Sequence, residues 1–90
     1  MSEVRDNPAK HHFELIVDGF TALATYRLKP GVITFTHTEV PKELGGRGIG
    51  SQLAKGALDQ VRARGLKVVP LCPFIKAYID KNAEYQDLLA

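Results

Sequence analysis

Four glycines fall within six residues, Gly45-Gly46-Arg47-Gly48-Ile49-Gly50, at a junction where a run of β-favouring residues gives way to an amphipathic helical pattern. Glycine lets consecutive backbone N–H groups turn to one side and lets a ligand approach the chain closely. A helix that starts at the end of such a loop adds its positive end. A strand, a glycine loop and a helix in that order suit an anion, above all the pyrophosphate of a nucleotide-type cofactor. A flexible hairpin or linker is equally compatible with the loop's own composition, so its neighbours must decide.

Ninety residues make one domain with a single core. Hydrophobic content of 44% and charged content of 24% are those of a folded globular chain and argue against wholesale disorder. No apolar run approaches the roughly 20 residues that cross a bilayer, so no membrane partner is expected. The opening Met1-Ser2-Glu3-Val4-Arg5-Asp6-Asn7-Pro8 lacks the apolar stretch of a signal peptide. Cys72 is the only cysteine, which excludes an internal disulfide and fits a reducing, cytoplasmic setting. A net charge of +2 is too small for a nucleic-acid footprint but allows a basic mouth around an anionic ligand.

Residues 1–10 show no periodicity and read as a mobile arm. Lys10-His11-His12 offers two imidazoles, but neighbours in a strand point to opposite faces and no ligand set is complete, so a solvated strand entry is expected and no metal. Phe13 to Val17 and Phe20 to Leu28 read as strands joined by the hairpin signal Asp18-Gly19. Lys29-Pro30-Gly31 makes a second turn before a third strand, Val32 to Val40. The three strands form an antiparallel meander. Strict alternation puts Ile33, Phe35, His37 and Glu39 on one face of the third strand, and Thr34, Thr36, Thr38 and Val40 on the other. Pro41 ends its pairing.

From Gly50 to Arg64, Leu53, Ala54, Ala57, Leu58 and Val61 draw an apolar stripe opposite Gln52, Lys55, Asp59 and Arg62. Gly56 weakens this helix but lets a neighbour pack closely, and Gly65 suits its C-terminal stop. Lys67 to Cys72 reads as a fourth strand parallel to the third, reached by the usual right-handed crossover. Pro70 within it implies an edge, a bulge or a splay. Pro73 opens a helix to about Lys81, and Ala83 to Ala90 reads as a last short helix. The expected fold class is α+β: a three-stranded meander, a β-α-β crossover into a mixed sheet, and C-terminal helices.

Two familiar phosphate loops do not fit. A P-loop requires Gly-Lys-Ser/Thr, whereas Gly50-Ser51 is followed by Gln52. A dinucleotide fold requires G-x-G-x-x-G early in an alternating chain, with an acidic residue about 20 positions on. Val40 through Ser51 with its helix instead resembles the acetyl-coenzyme A loop of the GNAT superfamily of N-acetyltransferases, Gln/Arg-x-x-Gly-x-Gly/Ala. Gly48 and Gly50 match, and Gly45 stands where the pattern has Gln or Arg. His37-Thr38-Glu39-Val40-Pro41, Ala63-Arg64-Gly65, Pro70-Leu71-Cys72-Pro73-Phe74, Tyr78-Ile79 and Glu84-Tyr85 further resemble the minimal single-domain GNAT-like proteins. Asn82-Ala83 departs from their common His-Pro.

The resemblance implies acetyl-CoA as co-substrate. Glu39 and Val40 would meet the pantetheine arm, and Gly45, Gly46, Arg47, Gly48, Ile49, Gly50 and Ser51 would wrap the pyrophosphate, with Lys42 a further cation nearby. It also implies a third and fourth strand that splay to admit the thioester, which puts Cys72 near the acetyl group. Cys72 is then either a nucleophile or a small buried packing residue. Tyr78 matches a tyrosine the superfamily uses as general acid, with a core aromatic as the alternative. His37 and Glu39 are candidate bases, since histidine titrates near neutral pH. The expected function is acetyl transfer to an amine, either a small molecule or a protein lysine, by a monomer. A coenzyme A-binding module without efficient catalysis is the alternative. An adaptor with a purely structural loop is a third possibility and predicts no coenzyme A binding. A chain this short lacks the N-terminal helices that shape the acceptor site in the superfamily, leaving an open surface.

Overall fold

A computed structural model describes residues 3–90. Five strands, β1 (Arg5–Asn7), β2 (His12–Val17), β3 (Phe20–Lys29), β4 (Val32–Glu39) and β5 (Lys67–Pro70), form one sheet in the order β1-β2-β3-β4-β5. Strands β1 to β4 pair antiparallel, and β5 pairs parallel with β4. Helix α1 (Ile49–Ala63) makes the crossover between β4 and β5, and helix α2 (Pro73–Lys81) follows β5. A 3-10 segment, Ala83–Leu88, stands where a last helix is expected. It leads to a bridge between Leu89 and Val68 on the far side of β5.

The meander follows from its turns. Asp18 and Gly19 both adopt positive φ, at 50° and 80°, the pattern of a type I′ turn, which joins two strands without splaying them. Alternation along β2 and β3 sends Phe13, Leu15, Ala22, Ala24 and Tyr26 to one face, where all are buried. The α1 stripe covers that face: Leu53, Ala54, Ala57, Leu58 and Val61 are fully buried, and each large side chain contributes roughly 1.5–3 kcal/mol of transfer free energy. Gly65, with φ 69°, stops α1. The Leu66 amide reaches back to the Val61 carbonyl and the Gly65 amide to that of Arg62.

Two expectations are corrected. The N-terminal arm is not free of structure among the described residues: Arg5, Asp6 and Asn7 pair with Glu14, Phe13 and His12. Val4 lies where a Cβ on Gly56 would stand, and its carbonyl accepts from Gln60 Nε2 at 2.8 Å. Asp6 accepts from the Tyr26 hydroxyl at 2.6 Å and pairs with Arg64 at 2.9 Å, pinning β1 to the end of α1. Burial and the Asp6 carboxylate push the Tyr26 phenol up to about 12. Residues 1 and 2 of the expected arm lie outside the described residues. His12, expected at a solvated entry, is buried, with Nε2 3.0 Å from Glu14 Oε1. The acidic partner sits two residues along the same strand face.

The third correction bears on the site. Tyr26 pairs with Phe35 but Thr25 pairs with His37, so Thr36 is an extra residue in β4. This is a β-bulge, and it shifts the alternation by one. Thr38 pairs with Ala24 and therefore shares the helix-covered face with Phe35, while His37 and Glu39 pair with Thr25 and Leu23 on the opposite face. The expected grouping of Phe35 with His37 fails because alternation cannot cross a bulge.

Candidate functional site

Strand β5 leaves β4 early. Their register runs from Val32 with Lys67 to Phe35 with Pro70, whereas β4 continues against β3 to Glu39. Pro70 carries no N–H and stands at the parting point on the edge strand of the sheet, so the edge and the splay expected of it are both observed. The Cys72 amide donates to the Phe35 carbonyl at 2.9 Å, holding the chain beside β4 as α2 begins. The opening between the strands thus lies beyond Phe35, at the bulge.

Cys72 and Thr38 meet there. Cys72 is the residue before α2 and is 3% exposed, and its Sγ lies 3.1 Å from Thr38 Oγ1. Without the bulge, Thr38 would point through the other face of the sheet. Thr38 was therefore missed as a contact of Cys72 by sequence reading, and the signal that finds it is the register shift, which only pairing reveals. His37 and Glu39 stay on the open face with side chains 62% and 65% exposed, and His37 Nε2 lies 3.8 Å from Glu39 Oε1. The bulge thus divides the candidate chemistry, with a sheltered thiol on one face and an exposed imidazole on the other.

The glycine loop closes the near end. Lys42–Leu44 forms a 3-10 turn anchored by buried Leu44, with the Leu44 amide on the Pro41 carbonyl and the Gly45 amide on that of Lys42. Gly45 is extended at φ −61°, while Gly46 and Gly48 take φ of 76° and 69°, open to glycine at little cost. Gly48 precedes α1 without a side-chain cap, and the first three helical amides have no acceptor within the helix. Among the described residues no turn, loop or cap bond uses the amides from Gly46 to Ser51; the Gln52 amide is the first to find a carbonyl, that of Gly48. Six successive donors therefore surround an uncapped helix N-terminus in a largely exposed loop. Such a nest favours an anion.

The remaining expected residues are distributed around this nest. The Arg47 guanidinium lies 2.7 Å from the Asp18 carboxylate of the β2–β3 turn. Val40 is partly buried against the core, and Lys42 lies on the 3-10 turn. Ile49 is buried beneath the loop. Gly50 passes directly under Phe74, where a Cβ would stand 2.7 Å from the ring. Tyr78, one turn after Phe74, lines a pocket of about 180 Å³ with Ser51, Phe74, Ala77 and Lys81. Burial raises the pKa of its phenol. Its ring packs on Tyr85, at 5.9 Å between centroids, and among the described residues it makes no hydrogen bond to Cys72. Tyr78 therefore stands beside the start of α1. Leu71 and Phe74, which flank Cys72 and Pro73 in the chain, are exposed apolar groups. No group of three or more potential ligands for a metal ion occurs among the described residues.

The C-terminal segment braces this side of α1. Arg62 makes two bonds to the Asp87 carboxylate, at 2.8 and 2.9 Å, and Tyr85 donates to Asp59 at 2.7 Å. Burial opposes ionisation of Asp59, but the bonds from Lys55 and Tyr85 outweigh it and hold its carboxyl below the usual range.

Comparison with known proteins gives one consistent picture. A family model for the GCN5-related N-acetyl-transferases matches residues 12–88. Protein NATD1 of Gallus gallus and protein NATD1 of Homo sapiens are each 43% identical over 51 residues, 57% of this chain. The match covers 46% and 45% of those proteins, so the chain spans about half the length of the curated relatives it matches. The solution structure of a GCN5-like candidate N-acetyltransferase from Staphylococcus aureus superposes with a TM-score of 0.74 and 32% identity. That superposition covers 98% of this chain and 87% of the other.

Proposed function

Since the chain belongs to the GCN5-related N-acetyl-transferase family, we propose that it binds acetyl-CoA at the glycine loop and transfers the acetyl group to an amine. The observation that carries this reading is the run of unengaged amides from Gly46 to Ser51 at the uncapped start of α1, which leads into the opening between β4 and β5. A diphosphate matches the nest in charge and in hydrogen-bond demand. Glu39 and Val40, where β4 runs on without β5, offer backbone groups to an extended arm laid along the strand. Exposed Leu71 and Phe74 supply apolar cover. The donor's thioester supplies an activated acyl group; the protein supplies alignment.

Cys72 lies at the inner end of this path. In the proposed reaction its sulfur, as thiolate, attacks the thioester carbonyl. A new carbon–sulfur bond forms as the bond to coenzyme A breaks, and coenzyme A leaves as a thiolate. An acceptor amine then attacks the acetyl-cysteine, losing its proton to a base and returning the Cys72 thiolate. The Thr38 hydroxyl can donate to that sulfur. His37 lies on the opposite, open face of β4 from Cys72, so in this route the amine's proton passes to solvent water and not to the imidazole. The position of Tyr78 beside Ser51 supports a part in shaping the donor site more than protonation of the leaving thiolate. Glu39, Val40, Gly45, Gly46, Arg47, Gly48, Ile49, Gly50 and Ser51 remain the proposed donor-binding set.

Mass spectrometry after incubation with acetyl-CoA tests the route. The wild-type chain is expected to gain one acetyl group at Cys72, and Cys72→Ala to gain none while still binding coenzyme A. Cys72→Ala that transfers acetyl to lysine peptides at the wild-type rate overturns the nucleophile and leaves direct transfer. Coenzyme A binding without transfer to any amine, by wild type and variant alike, identifies a binding module.

A further inference from the structure

The turn between β2 and β3 does not need a carboxylate. Positive φ at both central residues suits Asn or Gly at the first of them as well as Asp. Asp18, at φ 50°, nevertheless directs its Oδ2 to 2.7 Å from Arg47 Nη1, across 29 residues of sequence and onto the loop that holds the unengaged amides. Both partners are substantially exposed, 66% for Asp18 and 47% for Arg47, so burial does not force the pairing. An exposed ion pair adds little to stability. Its position suggests another effect. Arg47 is the one side-chain cation between Gly45 and Ser51, and its guanidinium already has an anionic oxygen as a partner.

We infer that Asp18 is a stand-in anion for the donor's phosphate: it holds the Arg47 guanidinium at the β2–β3 turn and must yield it when a phosphate arrives. The inference rests on the proposed acetyl-CoA site. Binding then exchanges one charge-assisted bond at Arg47 for another instead of creating one. The net gain from Arg47 is small while Asp18 is charged, and larger once it is neutral. Asp18 in this role sets donor affinity and release; it does not touch the reacting atoms.

Asp18→Asn tests this without disturbing the hairpin, because Asn-Gly is itself a strong type I′ turn. Asp18→Gly provides a second variant with the same tolerance of positive φ. Calorimetric titration with coenzyme A at several salt concentrations is the readout. Both variants are expected to bind about three- to tenfold more tightly at low salt, as expected when the Arg47 guanidinium is released to make one exposed charge-assisted bond to a phosphate. The gain should shrink as salt rises. In an Arg47→Gln background the exchange at the guanidinium is absent, so most of the gain should vanish. Equal or weaker coenzyme A binding by both variants, with wild-type binding intact, overturns the inference and leaves the donor site standing. So does an undiminished gain in the Arg47→Gln background. Failure of the wild-type chain to bind coenzyme A at all overturns the donor site and this inference with it.

Discussion

Thr36 is the residue on which the site turns. It is the unpaired member of the β4 bulge, and it brings Thr38 round to Cys72 while leaving His37 in the open. Nothing in Val-Ile-Thr-Phe-Thr-His-Thr-Glu marks the bulge: threonine alternates through it without a glycine or proline. The glycine positions were legible because their conformational freedom is written in composition. The Thr38–Cys72 contact was not, because it depends on register with another strand. His12 and Glu14 were hidden differently. Spaced two apart they share a face, but their bond is a packing outcome. That bond, with one from Asn7, holds the Glu14 carboxyl below its usual 4.5. A carboxylate whose folded pKa is depressed adds stability above its unfolded value and loses it as pH falls through the folded one. Thermal unfolding of the wild-type chain should therefore shift downward as pH drops below about 4.5. Glu14→Gln should show a smaller downward shift over the same window. An identical shift in both would assign the acid loss to other carboxylates, such as Asp59 and Asp87.

At the scale of elements, the strands and helices follow from periodicity and turn chemistry. Strands β2 to β5, α1 and α2 lie within a residue or two of their expected bounds, and Gly65 and Pro73 mark ends as their chemistry requires. β1 escaped because three residues carry no period and its stability comes from tertiary partners: Val4 against Gly56, Asp6 with Tyr26 and Arg64. Gly56 thus has a defined partner. Ala at 56 should gain about 1 kcal/mol of helix propensity and lose about 1–3 kcal/mol to overpacking against Val4. The expected result is net destabilisation by up to about 2 kcal/mol, with faster amide exchange in Arg5–Asn7 and unchanged protection in the middle of α1. A more stable variant with β1 still protected would contradict this docking. The final segment shows the limit of composition: Ala83–Leu88 forms 3-10 turns held by Arg62 and Tyr85 instead of a regular helix.

The whole molecule places α1, α2 and the C-terminal turns side by side, with α1 over the sheet face that carries the core and Ile16, His37 and Glu39 exposed on the other. Family membership and the match to a solved GCN5-like structure agree with that architecture. No helix among the described residues is long and apolar enough to cross a membrane. The loop from Gly45 to Ser51 is the proposed coenzyme A seat. Calorimetric titration of the chain with acetyl-CoA, coenzyme A and ATP tests it most directly. Saturable one-to-one binding of acetyl-CoA and coenzyme A, with ATP much weaker, is the expected result. No binding of either coenzyme, or ATP bound as tightly as both, would contradict it.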